Sequence, residues 1–257
     1  MLAEERRHNL LSVIAERGRA RISDLARLFN VSEMTVHRDL QVLEAQGLVR
    51  KLHGGVALAG VQETPYRERM VQQHQQKRAI AEAAVRLIRP GDTLYLSPGT
   101  TTTEIARRLP QKDLTIVTNS LPIAQELMHT TELEVILTGG SIRRHAEALV
   151  GPAAEASLAQ MFIHLAFMGI TGMDPEGGLT VYSETEARVL QAVLRASRKT
   201  ILVADSSKWG RVMGPRVGAL ERVHGLISDT ALPAAAVEYL EAHDVQVTRV
   251  EAPEVQA

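Results

Sequence analysis

The stretch from residue 22 to residue 56, ISDLARLFNVSEMTVHRDLQVLEAQGLVRKLHGGV, decides the fold of the first part of the chain. Ser23 and Ser32 each precede an apolar run at helical spacing, where a hydroxyl can cap the first free N–H groups of a helix. The pattern predicts two helices joined by a tight turn over residues 30–32. Residues 48–58 then predict two short strands around a Gly-Gly turn, which together form a hairpin.

The residues before this stretch add a further helix and a strand. Apolar residues recur at helical spacing through Leu10 and Ile14, and Gly18 is the residue type that ends helices. Residues 19–22 can pair with the hairpin as an edge strand. Residues 1–58 are therefore predicted to form a winged helix-turn-helix domain.

The helix that Ser32 caps, predicted to run to about Gln46, has two unlike faces. One face is apolar and is predicted to pack inward through Val36, Leu40 and Leu43. The other carries side chains that can hydrogen-bond to base edges in the major groove or meet a thymine methyl group: Met34, Thr35, His37, Arg38 and Gln41. This pattern is typical of a recognition helix.

The hairpin carries basic residues beside its tip and is predicted to be a wing that touches DNA phosphates through Arg50, Lys51, His53 and Gly54. A winged helix used only for protein contacts is the alternative. That alternative would leave Arg38, Gln41 and the basic wing without a role.

These residues closely resemble the DNA-binding segment of the DeoR family of bacterial transcriptional regulators. Members usually have two arginines where this chain has His37 and Arg38. The resemblance implies a regulator that binds double-stranded operator DNA in a sequence-specific way.

The composition excludes several classes of protein. The 257 residues carry a net charge of −1 and no cysteine, which excludes a disulfide framework, thiolate metal sites and a cysteine nucleophile. Charged residues interrupt the first thirty positions, and no uncharged run approaches the length of a membrane span. We therefore expect a soluble, cytoplasmic protein.

The remainder of the chain is predicted to form a larger α/β domain over residues 76–257. Residues 59–75 contain Gly60, Pro65 and a Gln/His-rich stretch, and they predict a linker passing into a helix over about residues 70–89. Short apolar strands then alternate with helical stretches, which predicts a doubly wound, mainly parallel sheet. The strands are expected at residues 93–97, 114–118, 134–138, 165–170, 200–205, 223–228 and 245–250.

The turn after the first of these strands has the residues of an anion site. Gly99 permits a tight turn, hydroxyls follow at Thr100, Thr101 and Thr102, and the start of a helix supplies free N–H groups. Thr101-x-x-Glu104 also fits a capping box, so a purely structural interpretation of the same residues stays open.

Polar turns follow three other strands. They contain Asn119 with Ser120, Gly139 with Gly140, and Asp205 with Lys208. Ligands of parallel sheets bind at the carboxyl ends of the strands. Four such turns in one domain favour a ligand cleft over independent helix caps.

The turns also resemble the sensor domain of the DeoR family, whose fold is related to ribose 5-phosphate isomerase. The resemblance implies a repressor of sugar or carbohydrate metabolism genes with a sugar-phosphate effector, its phosphate held by Gly99 to Thr102. It places the sugar near Asn119, Gly139, Glu184 or Glu186, Asp205 and Lys208. Paired operator half-sites further imply a homo-oligomer, either a dimer or a tetramer.

Three residues depart from the family pattern. Pro98 stands where a serine is usual, Leu190 where a lysine is common, and His164 where an aspartate is usual. These departures leave the identity of the ligand open.

No metal or cofactor is expected. The nine histidines are scattered without ligand spacing, and neither GxGxxG nor GxxxxGK[ST] is present in the expected context. Two alternatives to a sensor remain: a sugar-phosphate isomerase-like enzyme fused to a DNA-binding module, and a constitutive DNA-binding protein whose α/β domain only oligomerises. An isomerase needs a carboxylate base, for which Asp205, Glu184 and Glu186 are the candidates, and we expect no enzyme.

Overall fold

The computed structural model describes residues 3–17, 19–45, 48–52, 55–58, 63–110 and 113–252. The chain divides into two compact units, Met1–Glu63 and Thr64–Ala257.

The first unit contains three helices and a small sheet. Its elements are α1 (Ala3–Arg17), β1 (Arg19–Arg21), α2 (Ile22–Phe29), α3 (Glu33–Ala45), β2 (Val49–Leu52) and β3 (Gly55–Leu58). The strands pair antiparallel in the order β1-β3-β2, so the predicted edge strand and hairpin are confirmed.

The core of this unit follows the predicted periodicity. Leu10, Ile14, Val36, Leu40 and Leu43 are buried together. Packing of these side chains sets which face of α3 points outward.

One predicted helix cap is confirmed and one is wrong. Ser32 caps α3, since the Thr35 N–H donates to its Oγ at 3.2 Å. Ser23 does not cap α2, because the helix already begins at Ile22, whose side chain is buried, and Arg21 occupies the cap position without a side-chain hydrogen bond.

The second unit has a seven-stranded parallel sheet with the strand order β15-β14-β12-β9-β4-β5-β6. Its strands are β4 (Thr93–Leu96), β5 (Leu114–Thr118), β6 (Leu133–Leu137), β9 (Ile163–Met168), β12 (Ser197–Val203), β14 (Gly225–Asp229) and β15 (Gln246–Val250). From β4 the chain proceeds toward one edge, and from β9 it proceeds toward the other. The strand order therefore reverses between β4 and β9.

Helices cover both faces of this sheet, as a doubly wound fold requires. They are α4 (Tyr66–Val71), α5 (His74–Val85), α6 (Thr100–Ala106), α7 (Leu121–Leu127), α8 (Pro152–Ala159), α9 (Glu184–Ala196) and α10 (Ala234–Ala242). On one face α5, α6 and α7 pack on strand residues such as Leu94 and Phe167. On the other, α8 and α9 pack on residues such as Tyr95 and Ala166.

Two short sheets that the sequence did not predict complete the unit. One is the hairpin of β7 (Ser141–Arg143) and β8 (Ala148–Val150), and the other joins β10 (Gly172–Asp174), β11 (Gly178–Thr180) and β13 (Arg216–Gly218). Each strand has three residues, which is too short for a period of two to stand out in the sequence.

The predicted linker over residues 59–75 needs correction. Its later part forms α4 inside the second unit, where the buried Tyr66 hydroxyl lies 2.8 Å from the Thr103 hydroxyl of α6. The single helix predicted over residues 70–89 is instead α4 and α5, separated at Gln73, whose φ of 51° is left-handed. A left-handed residue cannot continue an α-helix.

Candidate functional site

The outer face of α3 presents the side chains predicted to read DNA. Met34 is 75% exposed, Arg38 and Gln41 are exposed, and His37 is partly exposed. Thr35 differs from these residues because its hydroxyl lies 2.9 Å from the Ser32 hydroxyl, so both take part in the start of the helix. The exposed side chains form a polar surface opposite the buried core residues of α3.

A buried carboxylate that sequence reasoning missed holds α3 against α1. Asp39 is 3% exposed, and it accepts hydrogen bonds from Arg6 Nε at 2.6 Å and Arg7 Nε at 3.2 Å. The signal was present, because Asp39 follows Val36 by three positions and thus shares the inward face of the helix. These ion pairs position the helix whose other face is exposed.

For the predicted wing residues, the structure describes only the backbone of the strands. Arg50 and Lys51 lie on β2, paired with Ala57 and Val56 of β3. Their side chains, together with His53 and Gly54, lie outside the described residues.

A cavity of about 290 Å³ opens in the second unit at the carboxyl ends of β4 and β9. This is the point at which the strand order reverses, where the loops after neighbouring strands separate and leave a crevice. Of the residues predicted for the effector, those that line it are Gly99, Thr100, Thr101, Thr102, Asn119, Glu186, Asp205 and Lys208.

The structure places four other predicted residues away from the cavity. Gly139 and Gly140 follow β6, an edge strand two positions from β4, and are exposed. Ser120 is fully buried, and its hydroxyl accepts the Ile123 N–H to cap α7. Glu184 is exposed and pairs with Arg188 at 2.6 Å, because the helical period turns Glu186 inward and Glu184 outward.

The first turn of α6 leaves two hydroxyls free. Thr102 Oγ1 donates to the Ser97 carbonyl at 2.6 Å, and Thr103 Oγ1 donates to the Gly99 carbonyl at 2.8 Å. The hydroxyls of Thr100 and Thr101 have no hydrogen-bond partner among the described residues, and both residues line the cavity. These hydroxyls are available to a ligand.

The capping-box interpretation of this turn is wrong. Gly99 occupies the cap position of α6, and the carboxylate of Glu104 accepts from Arg107 at 2.7 Å and Arg108 at 2.5 Å. Burial raises the pKa of Glu104, but the hydrogen bonds from Arg108 and Arg107 bring it below its ordinary value. Glu104 is therefore an ionised partner of arginines and does not reach back to the turn.

Four cationic side chains line the same cavity: Arg69, Lys77, Lys208 and Arg211. Lys77 is 5% exposed, and its ammonium donates to the carbonyls of Arg69 and Gln72 at 2.5 Å each. Burial lowers the pKa of Lys77 to about 8, partly opposed by Asp205 and reinforced by the positive charge of Lys208. Burial likewise lowers the pKa of Lys208.

Two carboxylates lie among these cations, and each already has a protein partner. Asp205 accepts from both the N–H and the hydroxyl of Ser207. Glu186 lies 3.7 Å from Arg143. Asp205 forms no direct ion pair with the four cations in the described part of the chain. The cavity is thus suited to an anionic ligand.

Asn119 is held by the protein as well. Tyr95 Oη donates to its Oδ1 at 2.6 Å, and its Nδ2 donates to the Leu149 carbonyl at 2.7 Å. Burial raises the pKa of Tyr95, so that its hydroxyl stays protonated and acts as the donor. These bonds fix the orientation of the amide at the edge of the cavity.

The cations on α4 and α5 were missed because sequence reasoning assigned part of that segment to a linker. A signal existed for Lys77, since Lys77, Ile80, Ala81 and Ala84 recur at i, i+3, i+4 and i+7. A lysine on the inward face of a helix is unusual unless it has a polar partner.

Two of the three departures from the family pattern lie at the cavity, where Pro98 and Leu190 contribute to its wall. His164 lies instead at the opposite ends of the strands, where its Nδ1 accepts the Thr93 N–H at 2.9 Å. The departures at Pro98 and Leu190 thus bear on the ligand directly.

The described residues contain no group of three or more potential ligands placed to hold a metal ion. No described helix is both long and apolar enough to span a membrane.

Two family models match the chain. The model described as the DeoR-like helix-turn-helix domain matches residues 6–61. The model described as the DeoR C terminal sensor domain matches residues 72–230.

Curated relatives match over nearly their whole length. The transcriptional regulator GlpR of Haloferax volcanii is 38% identical over 252 residues, which cover 96% of this chain and 98% of the relative. The transcriptional repressor CsqR of Escherichia coli is 34% identical over 244 residues, 94% of each chain. The glycerol-3-phosphate regulon repressor of Escherichia coli is 31% identical over 249 residues, 96% of this chain and 99% of the relative.

Solved structures show weaker likenesses. Ribose 5-phosphate isomerase A from Methanocaldococcus jannaschii matches with a TM-score of 0.38 and 16% identity, over 52% of this chain and 53% of that chain. Translation initiation factor eIF-2B from Pyrococcus horikoshii matches with a TM-score of 0.43 and 16% identity, over 60% and 62%.

Proposed function

Because this chain belongs to the DeoR family of transcriptional regulators, we propose that it represses genes of sugar or carbohydrate metabolism and that a phosphorylated sugar controls it. The chain is a DNA-binding transcriptional regulator. We propose further which residues read the operator and which hold the effector.

The outer face of α3 reads the operator in this proposal. Arg38 can donate to base edges in the major groove, Gln41 can both donate and accept, and Met34 offers an apolar contact to a thymine methyl. The wing residues Arg50 and Lys51 would neutralise phosphates beside the groove and set the position of the helix. The support is the exposure of this face and its rigid attachment through Asp39.

The effector site is the cavity between the ends of β4 and β9. Three cations line the cavity without a hydrogen-bond partner among the described residues: Arg69, Lys208 and Arg211. They lie with the similarly unpaired hydroxyls of Thr100 and Thr101, and this observation carries the assignment. A phosphate there would accept from these hydroxyls, from free N–H groups at the start of α6 and from Lys208. The similarity to the glycerol-3-phosphate regulon repressor of Escherichia coli is in keeping with a phosphorylated effector for this chain.

The effector can change operator binding only if it binds one DNA-binding state more tightly than the other. We propose a homo-oligomer with two-fold symmetry, in which effector binding alters the placement of two recognition helices on paired half-sites. An effector that favours the state unable to bind DNA releases the operator.

A ligand screen tests the proposal. Sugar phosphates are added to the full chain, and the melting temperature is recorded alongside operator retention in a gel shift. A ligand at 100 times its dissociation constant adds about 2.7 kcal/mol to stability, which gives a clear melting shift. If no sugar phosphate shifts the melting temperature or changes operator binding, the sensor assignment is wrong and the oligomerisation-only alternative gains support.

We also propose that the cavity binds its ligand without turnover. Of the three candidate bases, Asp205 already accepts two hydrogen bonds from Ser207, and Glu184 lies outside the cavity. Glu186 lines the cavity, but its carboxylate lies 3.7 Å from Arg143. Incubation with pentose and hexose phosphates is expected to give no isomerisation above background. Turnover that disappears in Asp205→Asn would establish an enzyme instead.

A further inference from the structure

Arg69 is the cavity cation whose charge the protein leaves least satisfied. Its Nε is buried and has no hydrogen-bond partner among the residues that the structure describes. Buried polar groups of proteins are almost always hydrogen-bonded, and an unsatisfied one costs more when it carries charge. The guanidinium is also surrounded by like charge, because Lys77 and Lys208 are both close enough for Arg69 to lower their pKa values.

One phosphate at the turn would not satisfy this side chain. That phosphate already has the Thr100 and Thr101 hydroxyls, the N–H groups of α6 and the Lys208 ammonium as donors. Lys77 contributes little more, since two of its three protons go to the carbonyls of Arg69 and Gln72. The two guanidiniums, Arg69 and the more exposed Arg211, have no acceptor in the described part of the chain.

Guanidinium groups are suited to a different kind of partner from ammonium groups. Their planar fork donates two parallel hydrogen bonds to one carboxylate or phosphate. Because Arg69 and Arg211 both line the cavity, such an anion can be held there.

We propose that the effector carries two anionic groups, a phosphate at the Thr100–Thr101 turn and a second phosphate or carboxylate held by Arg69 with Arg211. The proposal rests on the proposed function of the cavity and adds the chemical class of the ligand, a sugar bisphosphate or a phosphorylated sugar acid. The apolar wall that includes Ile170, Val181 and Leu190 lies against the uncharged middle of the ligand.

The second subsite also lies on a helix close in sequence to the DNA-binding unit, where effector binding can influence operator binding. Arg69 belongs to α4, only five residues after Thr64, the first residue of the α/β unit. The end of α4 is held by the Lys77 ammonium through two carbonyls. An anion that draws Arg69 inward therefore acts on the helix that is first in the chain after the DNA-binding unit.

The test compares matched pairs of ligands by titration calorimetry on the full chain. Glucose 6-phosphate is paired with gluconate 6-phosphate, which adds a carboxylate, and fructose 6-phosphate with fructose 1,6-bisphosphate, which adds a phosphate. Wild type is expected to bind the doubly anionic member of at least one pair about ten- to a hundredfold more tightly.

Two variants assign that preference to Arg69. Arg69→Gln is expected to abolish it while leaving affinity for the singly phosphorylated member within about twofold. Arg67→Gln is the matched control, since Arg67 lies on the same helix with an 87% exposed side chain that pairs with Glu147, and it should keep the full preference. Arg69→Lys, which keeps the charge without the fork, should restore part of it.

Several outcomes overturn the proposal. If wild type binds both members of each pair equally, the effector site holds one anion and the sensor function stands without the second subsite. If Arg69→Gln weakens both members to the same extent, Arg69 belongs to the first phosphate site or to the scaffold. If no sugar phosphate of either kind binds, the proposed function itself fails.

Discussion

Both units contain charged side chains that are buried or partly buried, but the units differ in whether the protein supplies hydrogen-bond partners for them. In the winged-helix unit, the buried Asp39 receives hydrogen bonds from both Arg6 and Arg7. In the α/β unit, Arg69 and Lys208 line a cavity without a hydrogen-bond partner for either side chain in the described chain. A buried charge with its partners present holds elements together, whereas one without them costs free energy until a ligand supplies them.

The largest expected effect concerns the charge that has its partners. Asp39→Ala leaves Arg6 and Arg7 facing a buried site, and breaking a buried ion pair costs about 3 kcal/mol. Hydrogen exchange of the α3 amides should accelerate by about a hundredfold or more, and operator binding should fall with it. Effector binding should persist, because the cavity lies in the other unit.

Asp24→Ala is the matched control for that change. Asp24 pairs with Arg27 on the surface, with side chains 41% and 80% exposed, and exposed pairs contribute less than about 1 kcal/mol. Equal effects of the two substitutions on the exchange of α3 would contradict the role given to Asp39.

Lys208, which has no hydrogen-bond partner in the described chain, should behave in the opposite way to Asp39: its removal should affect ligand binding and not stability. Lys208→Ala removes a charge-assisted hydrogen bond to the ligand of about 1.5–3 kcal/mol, so effector affinity should fall about ten- to a hundredfold. The ligand-free protein should not lose stability, because burial together with Arg211 and Arg69 disfavours the charged form of Lys208 more than Asp205 favours it. Loss of stability without loss of affinity would make Lys208 a structural residue.

Thr101→Val should weaken effector binding less than Lys208→Ala does, since it removes one neutral hydroxyl.

The exposed face of α3 offers a third, smaller contrast. Arg38→Ala and Gln41→Ala should each weaken specific operator binding by about 1–3 kcal/mol, whereas Lys51→Ala should weaken binding to any sequence and flatten its salt dependence. Gel-shift titrations at several salt concentrations on operator and random DNA separate the two effects. An Arg38→Ala protein with unchanged affinity and specificity would place the recognition surface elsewhere.

The smallest effect is on the pH dependence of effector binding. Lys77 has a pKa of about 8 in the folded protein, below its ordinary value, so it is charged below pH 8 and loses its proton above it. A bound anion favours the charged form, so effector affinity should fall as pH rises through 8, by no more than about tenfold per pH unit. Titration between about pH 7 and 9.5 keeps a phosphate ligand fully ionised. Lys77→Gln should reduce this dependence and leave the part that arises from Lys208, whose pKa is also lowered. An unchanged pH profile would exclude Lys77 from the response.

Local signals predicted the first unit well. The Ser32 cap, the inward period of α3 and the strand pair of the wing all depend on residues a few positions apart, and the structure has each of them. The exception was Ser23, which the local pattern predicted as the cap of α2. The helix instead begins one residue earlier, at Ile22, whose side chain is buried. Tertiary packing outweighs a single cap because a buried side chain contributes more free energy than one surface hydrogen bond.

The candidate cavity was predicted in part. The turns after β4 and β12 supplied Thr101, Asp205 and Lys208 because the carboxyl ends of parallel strands share one edge of a sheet. Gly139 and Gly140 follow the same rule in sequence, yet they lie away from the cavity because β6 occupies the edge of the sheet. Strand order is a property of the assembled sheet and cannot be read from alternation alone.

The sequence by itself determined the class of the protein, through helix caps and hydrophobic periods that act over one or two turns of chain. Only the tertiary structure decided which charges meet. Asp39 gained Arg6 and Arg7 when α3 packed on α1, and Arg69 and Lys77 reached the Thr101 turn when α4 and α5 packed beside α6. Electrostatic contacts between side chains distant in sequence depend on where packing brings them, and the low dielectric of the interior then makes each partner, or its lack, count in the free energy.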